Sequence, residues 1–552
     1  MILWLAYVAG SPAHACGGFF CNNSAPVEQT GEDIFFYVDD AAGTVTAHVE
    51  VDYQGPSKDF AWIVPVPTQP VVGVGAEELF TILSDTFAPE FVLETRTEGE
   101  CKSTGKGIFM SASAETGATA VQSPSDGGSS VVVVDQVAVG PYDAVTLLAE
   151  SSGALLDWLG EHGYDLPSAL DPVLAPYVAS GQYFVAIKLQ KEHDTGDIVP
   201  LVLTYVGTAA SIPIQLTSIA ATPDMRLRVN ILGSRRAVPE SYLHLEINPF
   251  AIDWWNGGDN YDAVVTLAAR EAGGHGFATD YAGAAPDLSY LVSAGWDTAA
   301  LAAAPDAVDF LNLILQGGYP ASETLLVILR EHIPVPPSLA ADGVRDVDLY
   351  NCPDCYAEEL RAQPFDAAAC AAEIEAQIVA PRQTLADSFA AGGTLTRFTS
   401  SLSPADMTVD PVFALNGEMD DVPKTRIAEQ VFECRKSHEF DEVPSRLSIS
   451  PYPDLRLPSA SLLAERNVDY HEYILTLHEP SNALVQATRS TGRGETVVDN
   501  RSLIEANILA FNEENADDTG PLGCGCAHTS LGGVAWLALP LGLVARRRRP
   551  AR

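Results

Sequence analysis

Between residues 33 and 232 one pattern recurs: short apolar or alternating runs, each closed within a few residues by Gly, Pro or Asp. Residues 33–39 and 44–53 alternate around Asp40-Ala-Ala-Gly43, a hairpin signature. Residues 60–66 form a third apolar run, closed by Pro65, Pro67 and Pro70. Residues 131–139, 183–189, 198–205, 212–220 and 225–232 read as further strands, with Gly196, Gly207 and Pro223 in their turns. Parallel neighbours need long crossovers, so connections this short predict largely antiparallel pairing. Residues 142–149 and 153–162 carry helical spacing instead, with Leu155, Leu156 and Leu159 on one face beside Trp158. Residues 77–84 are helix-like, and the Ser/Gly-rich stretch 111–130 reads as a mobile loop.

After Pro239 the character changes. Residues 263–272, 298–315, 324–331, 357–362 and 367–378 are Ala- and Leu-rich helix candidates, interrupted at Pro334, Pro336 and Pro337. Residues 448–507 return to strand-like alternation, and no internal repeat occurs. The fold expected is α+β: a mainly antiparallel β-rich region (16–239), an α-rich region holding a cysteine group (240–447) and a β-containing segment (448–511). With 552 residues and 47% apolar side chains, the chain has ample material for several cores.

The two ends read as targeting segments. Residues 1–10 are apolar, and Ala13-His14-Ala15 is a small-x-small cleavage site ahead of Cys16. Signal peptidase cleavage after Ala15 would leave Cys16 first; lipidation of Cys16 is the competing reading, which His14 fits poorly, and an uncleaved segment is a third. No Lys or Arg precedes the apolar run. At the other end an acidic spacer (512–522) leads to Gly523-Cys524-Gly525-Cys526, an apolar run over 531–545 and then Arg546, Arg547, Arg548 and Arg549. Extended to residue 529 as a helix, the run reaches about 26 Å, the short end of what spans a bilayer core. Positive charge stays on the cytoplasmic side, so the body is expected in the periplasm or beyond.

That tail is similar to the MYXO-CTERM sorting signal of myxobacterial surface proteins. The resemblance implies a membrane sorting protease as partner and lipid attachment at the cell surface through Cys524 or Cys526. The alternative is a plain C-terminal anchor in the inner membrane. The body resembles an uncharacterised family of secreted bacterial proteins, the domain of unknown function 2330. The resemblance runs from Cys16-Gly-Gly-Phe-Phe-Cys21 through Tyr53-Gln-Gly-Pro56, Phe60-Ala-Trp-Ile-Val-Pro-Val-Pro67, Gly140-Pro-Tyr142, Pro213-Ile-Gln-Leu-Thr-Ser-Ile-Ala-Ala221 and Glu271-Ala-Gly-Gly274. It ends near Asp406-Met-Thr-Val-Asp-Pro-Val-Phe413, so it covers roughly 16–430, and it implies no activity.

The formal charge of −42, with seven lysines, argues against nucleic acid as a partner. Cys16, Cys21, Cys101, Cys352, Cys355, Cys370 and Cys434 are disulfide candidates in an oxidising compartment; their odd number leaves one free, lipidated or intermolecular. Cys352-Pro-Asp-Cys355 with Cys370 and Cys434 reads as a disulfide cluster; a four-Cys zinc site and a redox CxxC are the alternatives. The segment ahead of this motif reads as acidic loop, which is the wrong context for a redox motif. Asp346, Asp348, Glu418, Asp420 and Asp421 read as solvated surface charge rather than metal ligands.

The sequence carries no HExxH pair, no G-x-S-x-G elbow, no phosphate loop and no motif that calls for a cofactor. Trp254 and Trp255 are candidates for a surface platform, with the two rings expected on opposite faces of a strand. Glu271 with His275 is a speculative pocket, though a glycine-rich helix end explains the same string. The expectation is an exported interaction or structural protein; the alternatives are a peptide or glycan hydrolase using His275, or a redox protein using Cys352 and Cys355. If the tail is a sorting signal, intact mass of the mature envelope protein will end near Cys524 or Cys526. Retention of Arg546 to Arg549 would leave the plain anchor.

Overall fold

The computed structural model describes residues 19–20, 28–54, 61–76, 78–102, 131–164, 170–189, 199–293, 296–319 and 322–519. The signal segment, Ala15, Cys16, Cys21, the 111–130 loop, Cys524, Cys526 and the arginine tail lie outside them. Within them no helix is long and apolar enough to cross a membrane.

The expected α+β class is what forms. A ten-stranded sheet runs in the order Glu495–Asp499, Asn482–Ala487, Leu243–Ile247, Gly276–Ala284, Thr394–Leu402, Ala221–Gly233, Glu28–Asp39, Thr44–Gln54, Leu201–Val206, Val71–Val74. Strands from all three compositional regions enter it, so the change of character at Pro239 does not divide the sheet. The hairpin around Asp40 to Gly43 pairs as expected, with Val38 opposite Val45. Three ladders are parallel: Ala221–Gly233 on Glu28–Asp39, Leu243–Ile247 on Gly276–Ala284, and Thr425–Cys434 on Glu90–Gly99. The other ladders among the described residues are antiparallel. Each parallel partner is remote in sequence, so turn length alone does not reveal it. The Leu243–Ile247 and Gly276–Ala284 pair is linked by a helix, Tyr261–Glu271.

A five-stranded sheet (Phe19–Phe20, Ala61–Val66, Tyr183–Leu189, Tyr142–Ala149, Val131–Val139) stacks on the first. Ile34, Phe36 and Val38 of one sheet meet Trp62, Val64, Val185 and Ile187 of the other in one core. Helices Ser152–Glu161 and Asp171–Ala179 cover the outer face of the smaller sheet through Leu155, Trp158 and Leu174. Helices Leu79–Phe87 and Ala380–Ala390 cover the outer face of the larger one at Phe35 and Leu395. A helical region around Phe310, Ile328 and Ile374 forms its own core.

Several local expectations change. Residues 142–149 form a strand, not a helix, because ladders form on both sides of it. A strand buried on both faces has no clean alternation, so its apolar spacing mimics a helix. Residues 212–220 hold a short helix, Ile214–Thr217, rather than a strand; Pro213 at its start supplies a preset φ. The 298–315 run splits into Thr298–Ala302 and Ala307–Gly317, the second capped by Asp306, whose side chain accepts from Asp309 N. In 448–507, short strands alternate with helix Ala460–Arg466, and helix Arg501–Glu514 carries on into the acidic spacer. Asp518 of that spacer pairs with Arg466 at 2.6 Å. The acidic segment ahead of Cys352 is helical, Asp346–Asn351, and Asp346 and Asp348 pair with Arg330 and Arg345.

The cysteines among the described residues do not gather into one cluster. Cys101 bonds Cys434, sealing the ends of the parallel pair Glu90–Gly99 and Thr425–Cys434 across 333 residues. Cys352 bonds Cys355, and Cys370 is free and buried among apolar side chains, its thiol pushed up to about 12 by that burial, with Glu373 and Glu331 adding to it. The four-Cys set needed for zinc is therefore not assembled.

The strand Glu28–Asp39 carries one charged residue in its core-facing apolar row. Glu32 follows the same alternation as Ile34, Phe36 and Val38 and is 4% exposed. Burial pushes its carboxyl up from 4.5 to about 7; the Gln29 hydrogen bond opposes this and Asp33 adds to it. A raised carboxyl pKa makes the protonated form the one the fold prefers. Its stabilising contribution is complete below 4.5 and is lost as pH rises through about 7. Glu32→Gln removes that loss: urea unfolding will show a gain on the order of 3 kcal/mol at about pH 8 and almost none near pH 4.

Candidate functional site

The residues singled out from the sequence do not converge. Glu271 accepts from Ser481 N at 2.7 Å and Asn482 N at 3.0 Å, anchoring the strand that begins there. The Nε2 of His275 lies 2.8 Å from the Asp406 carbonyl and 3.1 Å from Thr408 Oγ1, with the ring edge-on to Tyr242. Gly273 and Gly274 close the helix Tyr261–Glu271, with Gly274 N bonded to Ala269 O. Gly274 has φ +77°, and a Cβ there would sit 2.5 Å from the Asp406 side chain. The glycine-rich helix end is thus what this string builds.

Trp254 and Trp255 lie on a 3-10 turn, Trp254–Asn256, rather than a strand, because Asp253 caps it through Trp255 N and Asn256 N. Trp254 is 3% exposed and its indole donates to Pro249 O at 2.8 Å. Trp255 stacks on Tyr470 with ring centroids 5.1 Å apart and donates to Gln430 Oε1. The adjoining Gly258 has φ +77°, and a Cβ there would lie 2.3 Å from Phe91. Glycine at that position lets Phe91 seat against Trp254 and Tyr261.

Phe91, Trp254 and Tyr261 are the apolar wall of a cleft of about 910 Å³. Its polar wall is built by Arg236, His244, Thr279 and Arg426. Arg236, 5% exposed, sits in the turn before strand Ala237–Pro239. It donates to the Asp420 carbonyl, lies 3.4 Å from His244 Nε2 and 3.5 Å from Thr279 Oγ1. Arg426, on strand Thr425–Cys434, donates to the carbonyls of Thr279 (3.0 Å), Asp280 (3.1 Å) and Lys424 (3.0 Å). The two guanidinium groups therefore meet at Thr279. Neither forms a salt bridge with a described residue; the Asp420 carboxylate is taken by Arg493 at 2.8 Å.

Burial pulls the Arg236 guanidinium below its ordinary value, opposed by Asp421 and Asp420. Burial, then the Arg236 charge, pushes His244 down to about 4, against the Gln486 hydrogen bond, so its ring is neutral at ordinary pH. Arg236 Nε and Tyr452 Oη are buried without a hydrogen-bond partner among the described residues. No Ser, Thr or Cys among the described residues bonds to His244, so the nucleophile and base of a hydrolase are not assembled there. The redox alternative fares no better: Asp354, Glu358 and Glu359 are close in sequence to the Cys352–Cys355 bond, an acidic setting opposite to the electropositive one that activates such thiols.

The cleft wall rests on a buried network. Tyr261 Oη donates to Asp280 Oδ1 at 2.7 Å, while Thr399 Oγ1 (2.6 Å) and Arg397 Nε (3.1 Å) reach Asp280 Oδ2. Asp280 is the extra residue of a bulge in the strand Gly276–Ala284, between Thr279 and Tyr281, which turns its side chain onto this network. Asp280→Asn leaves Arg397 buried without its countercharge and is expected to cost about 3–5 kcal/mol in urea unfolding.

Nothing in the sequence marks Arg236, His244 or Arg426; isolated arginines in a lysine-poor chain are the faint signal available. A family model described as "Uncharacterized protein conserved in bacteria (DUF2330)" matches residues 11–342. That span includes Arg236, His244 and Trp254, and stops before Thr394–Leu402 and Arg426. No curated protein and no solved structure matches significantly.

Proposed function

This chain belongs to the bacterial family DUF2330, and from that premise we propose that it is an exported, non-enzymatic binding protein whose ligand presents an anionic group beside an apolar or aromatic body. One observation carries the reading: two guanidinium groups converge at Thr279 without carboxylate partners, beside the wall of Phe91, Trp254 and Tyr261. An anion there would receive charge-assisted hydrogen bonds, and its apolar part would lie on the aromatic wall. Arg493 and Arg501 line the cleft as well but are paired with Asp420 and Asp499, whereas Asp421 and Glu246 would oppose a ligand of high negative charge, so a single carboxylate fits better than a polyanion.

Export is supported by the signal-like start and the sorting-type tail, and by the two disulfides among the described residues, which belong with an oxidising compartment. In this reading the body acts at the cell surface or outer membrane, held by lipid through the tail after processing; the alternative site is the periplasmic face of the inner membrane. Titration calorimetry with 4-phenylbutyrate and its neutral amide tests the cleft. The carboxylate is expected to bind at least about tenfold more tightly than the amide, with Arg426→Met erasing the difference. Equal binding of acid and amide would defeat the proposal.

A further inference from the structure

A second cavity, of about 200 Å³, lies between the two stacked sheets. Its chemistry is the inverse of the cleft's. Glu32 lines it from the core face of the strand Glu28–Asp39, together with Phe36, Trp62 and Tyr205. Glu32 Oε2 accepts from Gln29 Nε2 at 3.2 Å, whereas Oε1 has no hydrogen bond to any described residue. A second carboxylate, Asp410, lines the same cavity and is held by Tyr177 Oη (2.9 Å) and Gln215 N (3.1 Å). No Lys, Arg or His is among the described residues lining it.

A carboxylate on an apolar cavity wall without a countercharge is costly, and the missing partner is a hydrogen-bond donor, best a cation. An anionic ligand would face two carboxylates. A neutral hydrocarbon would fill the volume and leave Oε1 unpaired. A cavity of roughly 150 Å³ admits benzene, so this one has room for a ring and a short side chain. Four aromatic rings around it, Phe36, Trp62, Tyr177 and Tyr205, add attraction for a cation.

We propose that the inter-sheet cavity binds a small organic ammonium ion, with the ammonium on Glu32 Oε1 and a compact aromatic or aliphatic body among Phe36, Trp62 and Tyr205. The site is independent of the arginine cleft, which selects the opposite charge.

Benzylamine and benzyl alcohol, nearly equal in shape, test it by titration calorimetry on the full chain at about pH 8, where the amine is protonated and Glu32 is mostly ionised. The amine is expected to bind at least about tenfold more tightly than the alcohol. Glu32→Gln, which removes charge and keeps shape, should abolish that preference while retaining the alcohol. Arg426→Met should leave both ligands unchanged, separating this site from the cleft. Equal affinities, a preference that survives Glu32→Gln, or no binding of either ligand would each overturn the proposal.

Discussion

The Asp280–Arg397 ion pair is the constraint on which the surrounding structure depends. Both side chains are buried in the middle of the ten-stranded sheet, Asp280 fully and Arg397 to within 3%. Such a pair persists only if its remaining polar atoms are satisfied, and here they are: Thr399, Tyr261 and the Leu83 carbonyl complete it. In doing so it fastens three elements that are far apart in sequence: helix Leu79–Phe87, helix Tyr261–Glu271 and strand Thr394–Leu402. The Asp280 backbone also receives Arg426. One bulge thus positions Tyr261 of the aromatic wall and Arg426, one of the two cleft arginines that meet at Thr279.

Charge is sorted in space far more sharply than composition suggests. The chain is strongly acidic, yet Arg236 and Arg426 come together against backbone carbonyls, while Glu32 is enclosed by apolar side chains. Each arrangement leaves a polar atom unpaired among the described residues: Arg236 Nε beside the cleft, Glu32 Oε1 in the cavity. Polar atoms without partners inside a fold are uncommon, and the two places are among those where they occur here. The Cys101–Cys434 bond steadies the strand pair carrying Phe91 and Arg426.

Much of the architecture was legible. The Asp40 to Gly43 hairpin, the strands at 60–66, 131–139 and 183–189, and the helices near 263–272 and 324–331 follow directly from alternation, turn residues and helical spacing. The failures have physical causes. Residues 142–149 are buried between neighbouring strands, which removes the two-residue period. Pro213 starts a helix in a stretch whose apolar content resembles a strand. Cys434 finds Cys101 instead of Cys370 because a parallel ladder joins segments some 330 residues apart. The cleft was nearly invisible: only Trp254 pointed to it, while Glu271 and His275 are occupied in tying down backbone.

By itself the sequence determined most of the local elements, the acidic character and the presence of several cores, because these depend on neighbours in the chain and on composition. Only the tertiary structure decided the parallel ladders, the disulfide partners, the burial of Glu32 beside a cavity and the meeting of Arg236 with Arg426 at Thr279. Those outcomes depend on contacts between residues tens to hundreds of positions apart. Hydrophobic burial and backbone pairing select such contacts collectively, and no local pattern encodes them.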